Sequence, residues 1–422
     1  MYVVERYAKW ATDWRSEPIT PEVRHHAIRA VVDWHAALLP GSVVAPATLL
    51  KRALADEFDR GDVRAAALIN GAAAHTVEVD DIYRDGIYHP GAPTIAAAHA
   101  LGFDRKNFLR AVIVGYEIST RIGAAMGRAH YRYWHNTGTI GCFGACAAAA
   151  ELLQLDATRF AHALATVTTF AAGLQQAFRM DSMSKPMHAA HAAEAGVTAA
   201  LAAREGVTGS LDVLEGEAGF GRAMGDNPDW EKALAGLGRD FHIMRMTFKN
   251  HACCGHTFAA IDGALALKAR LGVAARDIER VEIGTYRAGV EVAHYAEPHT
   301  PAEARFSMKY VVATALTHGS VRLAAFESPR LMDPETRALM GKVSVALDPE
   351  LDATFPRQRA ARVAITARGQ REELLQPTRK GDPDLPLSDN ELNDKFLELA
   401  SPVLGKEQAQ SLLKRLWKLE CD

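Results

Sequence analysis

Carboxylates and a histidine gather in residues 70–92, among small and apolar neighbours. Glu78, Asp80 and Asp81 lie close together, and His89 follows them after a short loop. Carboxylates at this spacing can bind a metal, serve as an acid and a base, or orient a histidine. An ordinary helix end with solvated carboxylates is the structural alternative, and the pattern alone does not choose between them.

A second polar group lies in residues 133–144. His135 and Thr137 come before a Gly- and Thr-rich stretch that leads into a predicted helix. Backbone N–H groups at a helix N-terminus can receive a substrate carboxylate. A turn with a half-buried histidine is the structural alternative.

Two later segments add a lysine and more histidines. Lys185, His188 and His191 stand at the start of an Ala-rich predicted helix. A lysine there can pair with a carboxylate or, if desolvated, act as a base. In residues 249–257, two histidines, the second of them His256, flank adjacent cysteines with a spacing that fits no standard zinc site. A charged helix start and small buried cysteines are the structural alternatives.

The motifs that are missing narrow the chemistry. The sequence has no GxxxxGK[ST] phosphate loop, no dinucleotide fingerprint after a strand and no GxSxG nucleophile motif. Histidines, a lysine and carboxylates can move protons and stabilise anions unaided. The inventory therefore favours proton transfer, and it predicts no metal site.

Helices are the elements that must position most of these groups. The 422 residues exceed one ordinary core, which predicts two domains. Abundant alanine and only 7% aromatic residues favour closely packed helices. Thr20 followed by Pro21 predicts a helix start, and Ser388 with Glu391 predicts a capping box.

The pattern changes after about residue 241. A helix is predicted over residues 252–271. Alternating hydrophobic residues then predict strands near residues 278–283, 342–347 and 362–366. We therefore expect a mainly α protein with an all-helical domain formed by residues 1–243 and 388–422. Residues 244–387 are expected to form a smaller α+β domain.

Charge and cysteine usage restrict the class of protein. The formal net charge of -3 provides no basic field for nucleic acid or a membrane surface. No apolar stretch has the length of a membrane span or a secretory signal. The five cysteines, an odd number without a CxxC pair, favour the reduced cytoplasm.

Taken in order, the four segments resemble the MmgE/PrpD family along nearly the whole chain. The sequence reads NGAAAHTVEVDD followed by HPG, then WHNTGTIGCFGACAAAA, MSKPMHAAHAAEAG and KNHACCGHTFAAID. The corresponding family patterns are NGxxAHxxDFDDT with HPG, WHxTGTxGxxGAAAAA, TKxLHxGxAAxxG and KxYPCCxHTHAAID. ARFSMKY and KGDPDLPLSDNEL, further along the chain, are also family-like. Four matches in one order are far more specific than any single one.

The resemblance implies a fold, a chemistry and a set of residues. It implies a large all-helical domain, a smaller α+β lid domain, an active site in the cleft between them, a homodimer and no cofactor. The family includes 2-methylcitrate dehydratase, cis-aconitate decarboxylase and iminodisuccinate epimerase. The catalytic candidates are His89, His135, Lys185, His256 and Asp80. The substrate-binding candidates are Glu78, Asp81, His188, Thr137 and His191.

Three departures from the family pattern affect substrate-facing segments. Glu78 replaces an aspartate, so its carboxylate extends one methylene further. Ile82 replaces the threonine of the decarboxylase-like pattern, which removes a hydroxyl donor. His191 replaces an arginine-like position, which exchanges a permanent cation for a titratable one. The loop from residue 81 to 89 also looks about one residue longer, and these changes leave the exact substrate open.

We expect a lyase or isomerase that acts on a small di- or tricarboxylate, with 2-methylcitrate dehydratase-like chemistry favoured. Epimerisation of the iminodisuccinate type and decarboxylation of the cis-aconitate type are alternatives. His89 or His135 would transfer protons, and Lys185 would hold a carboxylate or an enolate. Asp80 or Asp81 would orient a histidine, or become protonated if buried. A catalytically silent dimeric carboxylate-binding protein is an alternative of another class, and a metalloenzyme is a third.

Overall fold

Residues 1–178, 182–355 and 357–419 are described by a computed structural model of the chain, and most of them are helical. They form two compact units, one of Met1–Phe248 with Ser388–Asp422 and one of Lys249–Leu387. The predicted mainly α class is confirmed, with one small four-stranded sheet. Within the described residues, every helix is too short or too polar to cross a membrane.

The first unit begins with a long series of helices. In chain order they are α1 (Val3–Asp13), α2 (Pro21–Ser42), α3 (Ala47–Ala53), α4 (Ala55–Asp59), α5 (Val63–Thr76), α6 (Gly91–Gly102), α7 (Phe108–Tyr131), α8 (Asn136–Thr139), α9 (Gly141–Leu152), α10 (Ala157–Thr168), α11 (Ser184–Arg204), α12 (Phe220–Met224) and α13 (Trp230–Leu234).

The second unit combines helices with the sheet. Its elements are α14 (Phe258–Leu271), β1 (Ile278–Thr285), α15 (Arg287–Val292), α16 (Pro301–Arg305), α17 (Met308–His318), α18 (Ser328–Leu331), α19 (Pro334–Met340), β2 (Val343–Leu347), α20 (Pro349–Thr354), β3 (Ala361–Ala367) and β4 (Gln370–Gln376). The chain then returns to the first unit with α21 (Asp389–Leu404) and α22 (Lys406–Leu416). Short 3₁₀ helices lie at Trp14–Ser16, Gln175–Phe178, His242–Arg245, Ala275–Asp277 and Leu323–Phe326.

Small residues allow the central helices of the first unit to approach closely. α5, α6, α9 and α11 are rich in alanine and glycine, and they pack on one another. A Cβ atom at Gly196 of α11 would lie 2.5 Å from the backbone nitrogen of Cys146 in α9. A larger residue there would push the two backbones apart, and dense interiors tolerate such strain poorly. The close packing therefore fixes the ends of these helices relative to one another.

Local capping chemistry explains two of the helix starts. Thr20 Oγ1 accepts a hydrogen bond from Val23 N, and Pro21 is the first residue of α2. Ser388 Oγ accepts from Glu391 N while Glu391 Oε2 accepts from Ser388 N, which forms a reciprocal box at the start of α21. Both predicted starts are confirmed, because they depend only on neighbouring residues.

The C-terminal helices belong to the core of the first unit. Lys395 of α21 is buried, and its Nζ donates to Asp33 Oδ1 of α2 at 2.6 Å and to Val79 O at 2.7 Å. Val79 directly precedes Asp80 in the chain. A residue near the C-terminus therefore holds the backbone beside the first cluster of predicted site residues.

The sheet of the second unit has the strand order β2-β1-β3-β4. β1 pairs parallel with β2 and antiparallel with β3, and β3 and β4 form a hairpin. The two turn residues of the hairpin, Arg368 and Gly369, have φ angles of 51° and 74°. Positive φ at both positions is typical of the turns whose twist matches a β-hairpin.

The predicted helix over residues 252–271 is wrong at its start, because α14 begins at Phe258. Two backbone N–H groups ahead of the helix take part in tertiary hydrogen bonds instead. Ala252 N donates to Val321 O at 2.9 Å, and Cys254 N donates to Arg305 O at 3.0 Å. These distant partners hold the segment in turns despite its apolar composition.

Candidate active site

A turn and two hydrogen-bonded contacts position the first segment of polar residues. α5 ends at Thr76, and the next residues form an irregular turn. Tyr83 and Tyr88 then pair through their backbones, at 2.8 and 3.4 Å, and close a short loop. Asn136 Nδ2 donates to the carbonyl oxygen of Gly86 at 2.7 Å and fixes this loop to the segment of α8. His89 follows at the end of the closed loop.

Asp80 is the centre of a buried cluster of two histidines. Its Oδ2 atom lies 2.7 Å from His75 Nδ1 and 3.1 Å from His89 Nδ1. Burial opposes ionisation of Asp80, but the imidazoles of His89 and His75 outweigh it and hold its pKa well below the usual value. A carboxylate that stays ionised beside an imidazole can orient the ring and stabilise its protonated form.

A second pair of imidazoles lies next to this cluster. His135 Nδ1 and His188 Nδ1 are 3.0 Å apart, so one ring donates and the other accepts. The ring of His75 stacks on that of His135 with centroids 5.4 Å apart and planes at 21°. Burial is the main cause that holds the pKa of His135 well below its usual value, and the nearby His75 and Lys185 add to it. The surroundings of His135 therefore favour its uncharged form.

Lys185 forms an ion pair with Glu78. Both side chains are partly exposed, by 20% for Lys185 and 33% for Glu78, so the pair is accessible from solvent. Glu78 has a φ of 62°, a left-handed conformation just after the end of α5 that most residues avoid. The turn thus places the carboxylate of Glu78 next to the ammonium group of Lys185 on α11. Glu78 is the residue that stands where the family pattern has aspartate.

The helix start after His135 is occupied by hydrogen bonds within the chain. Gly138 N and Thr139 N donate to His135 O at 2.9 and 3.1 Å, so these N–H groups are already used. Thr137 Oγ1 accepts from His89 N at 3.2 Å. The hydroxyl of Thr137 therefore holds the backbone of His89, and its predicted contact with substrate stays a prediction.

Asp81 turns toward α6 and α7. Its Oδ1 accepts from Gly91 N at 3.0 Å and its Oδ2 accepts from the Tyr116 hydroxyl at 2.7 Å. A Cβ atom at Gly91 would lie 2.6 Å from Tyr116 Oη, so this arrangement requires glycine. Burial is the main cause that raises the pKa of Asp81 to about 8. The buried carboxyl holds the start of α6, and its predicted role in substrate binding stays a prediction.

The pKa of Asp81 predicts a specific pH dependence of stability. Because Asp81 binds its proton more tightly in the folded state than in the unfolded state, the contribution of Asp81 to stability is lost as the pH rises from about 4 to about 8. We expect the free energy of unfolding of Asp81→Asn to fall less over this pH range than that of the wild type, by a few kcal/mol (about 1.4 kcal/mol per pKa unit). Urea unfolding between pH 5 and 8 would measure it, with exposed Asp13→Asn as the control. An unchanged difference between the wild-type and Asp81→Asn proteins across that range would contradict the assignment.

Two further candidates have polar contacts of their own. His191 is exposed, and its Nε2–H donates to Phe170 O at 2.9 Å. His256 belongs to the second unit, where its Nδ1 lies 2.8 Å from the hydroxyl of Tyr286. Burial lowers the pKa of His256 to about 4, assisted by nearby arginines. The roles predicted for both histidines stay predictions.

The ligand atoms of His75, Asp80 and His89 lie within 4.8 Å of one another, close enough to share a metal ion. Two imidazole nitrogens and one carboxylate oxygen are a donor set that divalent transition metals accept. His75 Nδ1 already makes a hydrogen bond to Asp80 Oδ2, and His89 Nδ1 lies 3.1 Å from the same oxygen in an ion-pair contact. We interpret the trio as a cluster of one carboxylate and two imidazoles that needs no ion.

This interpretation predicts that chelation has no effect on stability. A metal bound to a buried native site raises the melting temperature, and its removal lowers it. We therefore expect the same Tm before and after dialysis against EDTA, and less than stoichiometric metal by mass spectrometry after exposure to Zn²⁺ and desalting. Stoichiometric zinc together with a chelator-dependent Tm would establish a metal site instead.

His75 is the member of the cluster that the motifs did not single out. It lies in the last turn of α5. A single histidine in an apolar helix is typical of an ordinary buried segment, so the sequence offered no reason to select it. The available indication was its position five residues before Asp80 in the same motif. Because α5 ends between the two residues, their spacing in the sequence does not determine how close their side chains lie.

Comparisons with known proteins identify the class of protein. Residues 5–233 match the MmgE/PrpD N-terminal domain, and residues 251–419 match the MmgE/PrpD C-terminal domain. The chain therefore belongs to the MmgE/PrpD family.

Three relatives show how far the similarity extends. The chain is 27% identical to the cis-aconitate decarboxylase-like protein oryM of Aspergillus oryzae, over 99% of this chain and 94% of that protein. It is 28% identical to human cis-aconitate decarboxylase, over 84% of this chain and 76% of the relative. A shorter match, 31% identical, covers 26% of this chain and 24% of 2-methylcitrate dehydratase from Escherichia coli K12. The chain is thus an MmgE/PrpD-type enzyme.

Proposed function

We propose that this enzyme is a cofactor-independent lyase or isomerase that removes a proton or a carboxyl group next to a carboxylate of a small di- or tricarboxylate. The observation that carries the proposal is the grouping of the Asp80–His89 pair, the His135–His188 pair and the Lys185–Glu78 ion pair within the first unit.

The different environments of two histidines support acid–base chemistry. His89 lies against an ionised carboxylate, which favours its protonated form. His135 is buried among cationic and imidazole neighbours, which favour its neutral form. Titratable groups whose environments differ in this way can serve as an acid and a base at one pH. In the proposal, His135 accepts a proton from substrate and His89 donates one.

Lys185 supplies the positive charge for an anionic substrate. A substrate carboxylate at this ammonium group competes with Glu78, and it lowers the cost of a negative charge that develops nearby. The negative substrate also favours protonation of His135, whose pKa the surrounding groups depress. Substrate binding and proton transfer are therefore coupled by charge.

Dehydration is the reaction that we favour, because it uses both a base and an acid for the departing hydroxyl group. Decarboxylation is the second candidate, since the relatives that match most of the chain are cis-aconitate decarboxylases or similar to them. Ile82 argues against it, because this residue provides no hydroxyl where the decarboxylase-like pattern has threonine. Epimerisation requires proton donors on both faces of the substrate, and the same histidines permit it.

A substrate screen tests the proposal. The purified enzyme is incubated with 2-methylcitrate, cis-aconitate and iminodisuccinate, and products are identified by mass spectrometry. We expect turnover of one of these acids and a loss on the order of 10³-fold in the double variant His135→Ala/Lys185→Ala. The matched control is His25→Ala/Lys51→Ala, which removes the same residue types from exposed positions. Turnover that survives in the first double variant with its fold intact would refute the assignment.

A further inference from the structure

His75 touches both parts of the candidate active site. Its side chain is buried, and its Nδ1 atom lies 2.7 Å from Asp80 Oδ2. Its ring centroid is 4.7 Å from that of His89 and 5.4 Å from that of His135. The other ring nitrogen, Nε2, is buried and has no hydrogen-bond partner among the described residues. Apart from space filling, the defined polar contact of this ring is therefore with Asp80.

Two imidazoles share one carboxylate oxygen in this arrangement. His75 Nδ1 and His89 Nδ1 both approach Oδ2 of Asp80, and the shorter distance belongs to His75. A carboxylate that already accepts a strong hydrogen bond has less electron density to stabilise a second, protonated neighbour. The N–H donor of His75 therefore reduces the stabilisation that Asp80 gives to protonated His89.

We propose that His75 is a positioning residue that sets the proton affinity of His89 by sharing the Asp80 carboxylate with it. The proposal rests on the proposed function, in which His89 exchanges a proton with substrate. It assigns His75 no contact with substrate, and it adds a tuning residue to the acid–base pair.

Other charged and titratable groups face the cluster from the elements packed around it. They are Asp33 from α2, Glu78 and Asp81 from the turn after α5, His135 beside α8, Lys185 and His188 from α11, and Lys395 from α21. All of them remain in variants of position 75, so a change in the titration of His89 would report the lost donor.

Two substitutions separate tuning from space filling. His75→Phe keeps a ring of similar size for stacking but removes the donor to Asp80. His75→Asn removes the ring but keeps an N–H donor at nearly the position of Nδ1. If His75 tunes His89, His75→Phe should change the titration midpoint of His89 and His75→Asn should not. A space-filling role predicts that both leave the titration of His89 unmoved.

The test is an NMR titration of histidine ring carbons in the intact protein, with His89 assigned by its loss in His89→Asn. We expect His75→Phe to raise the titration midpoint of His89 by about one pH unit, a tenfold gain in proton affinity. His75→Asn and the control His35→Phe, which replaces another buried imidazole, are expected to leave it unchanged. An unmoved midpoint in folded His75→Phe would overturn the proposal.

A measurement on the wild-type protein covers the case in which His75→Phe does not fold. Ring-nitrogen shifts report which nitrogen of His75 carries the proton. The proposal requires a proton on Nδ1, and a ring protonated only on Nε2 would overturn it. Neither experiment needs a substrate. A shifted midpoint without turnover of any screened acid would refute the proposed function alone, whereas turnover with an unmoved midpoint would refute this inference alone.

Discussion

Replacement of Asp80 by asparagine is expected to lower kcat on the order of 10³-fold while the fold is retained. Asparagine has nearly the same shape as aspartate, and its carbonyl oxygen can still accept a hydrogen bond from His75 or His89. It lacks the negative charge that stabilises a protonated imidazole at 3.1 Å. The loss should therefore appear in kcat, with the melting temperature little changed.

The control for this prediction is Asp85→Asn, which removes an exposed carboxylate from the same loop. Turnover of the acid identified by the screen is measured for both variants, together with thermal unfolding. A value of kcat for Asp80→Asn within tenfold of the wild type would mean that the charge of Asp80 takes no part in the reaction.

Replacement of Lys395 by methionine has the largest expected effect on stability. Lys395 and Asp33 are both buried, and removal of the ammonium group leaves an unpaired carboxylate and an unmatched carbonyl at Val79. Loss of one partner of a buried ion pair costs about 3–5 kcal/mol. Burial raises the pKa of Asp33 to about 6 even with Lys395 present, so protonation can relieve part of this cost below that pH.

The double variant Asp33→Leu/Lys395→Met is the matched control, because it removes both charges and fills the space with apolar groups. Urea unfolding at pH 5 and pH 8 should show a deficit in Lys395→Met that grows with pH. The double variant should recover most of it. Equal loss in the single and double variants at both pH values would show that packing, rather than the ion pair, holds α21 to the first unit.

Local chemistry explains what could be predicted of the fold. The start of α2 at Thr20 and Pro21, and the box of Ser388 and Glu391, need only neighbouring residues, so the sequence predicts them well. β4 was not predicted, because its residues QREELLQ are largely polar, and it forms by pairing with β3. The predicted start of α14 is wrong for a similar reason, because hydrogen bonds to distant carbonyl oxygens determine where the helix begins.

The candidate site shows a similar division. The catalytic candidates were His89, His135, Lys185, Asp80 and His256. The first four belong to the first unit and His256 to the second. Neighbouring carboxylates could not be told apart by sequence. Asp80 faces two imidazoles, whereas Asp81 faces a tyrosine and a backbone N–H group. Which way each side chain points depends on the turn after α5, and no residue pattern defines that turn.

Solvent deuterium provides the most direct test of whether the first unit transfers a proton next to a carboxylate. The acid identified by the screen and, in a second sample, its product are incubated with the enzyme in heavy water until equilibrium, so that a dehydration also runs in the hydration direction. NMR then locates the deuterium in both acids. We predict deuterium at a carbon adjacent to a carboxylate with the wild-type enzyme and none with His89→Ala/His135→Ala. Turnover without deuterium at such a carbon, or with equal incorporation by the double variant, would contradict the account.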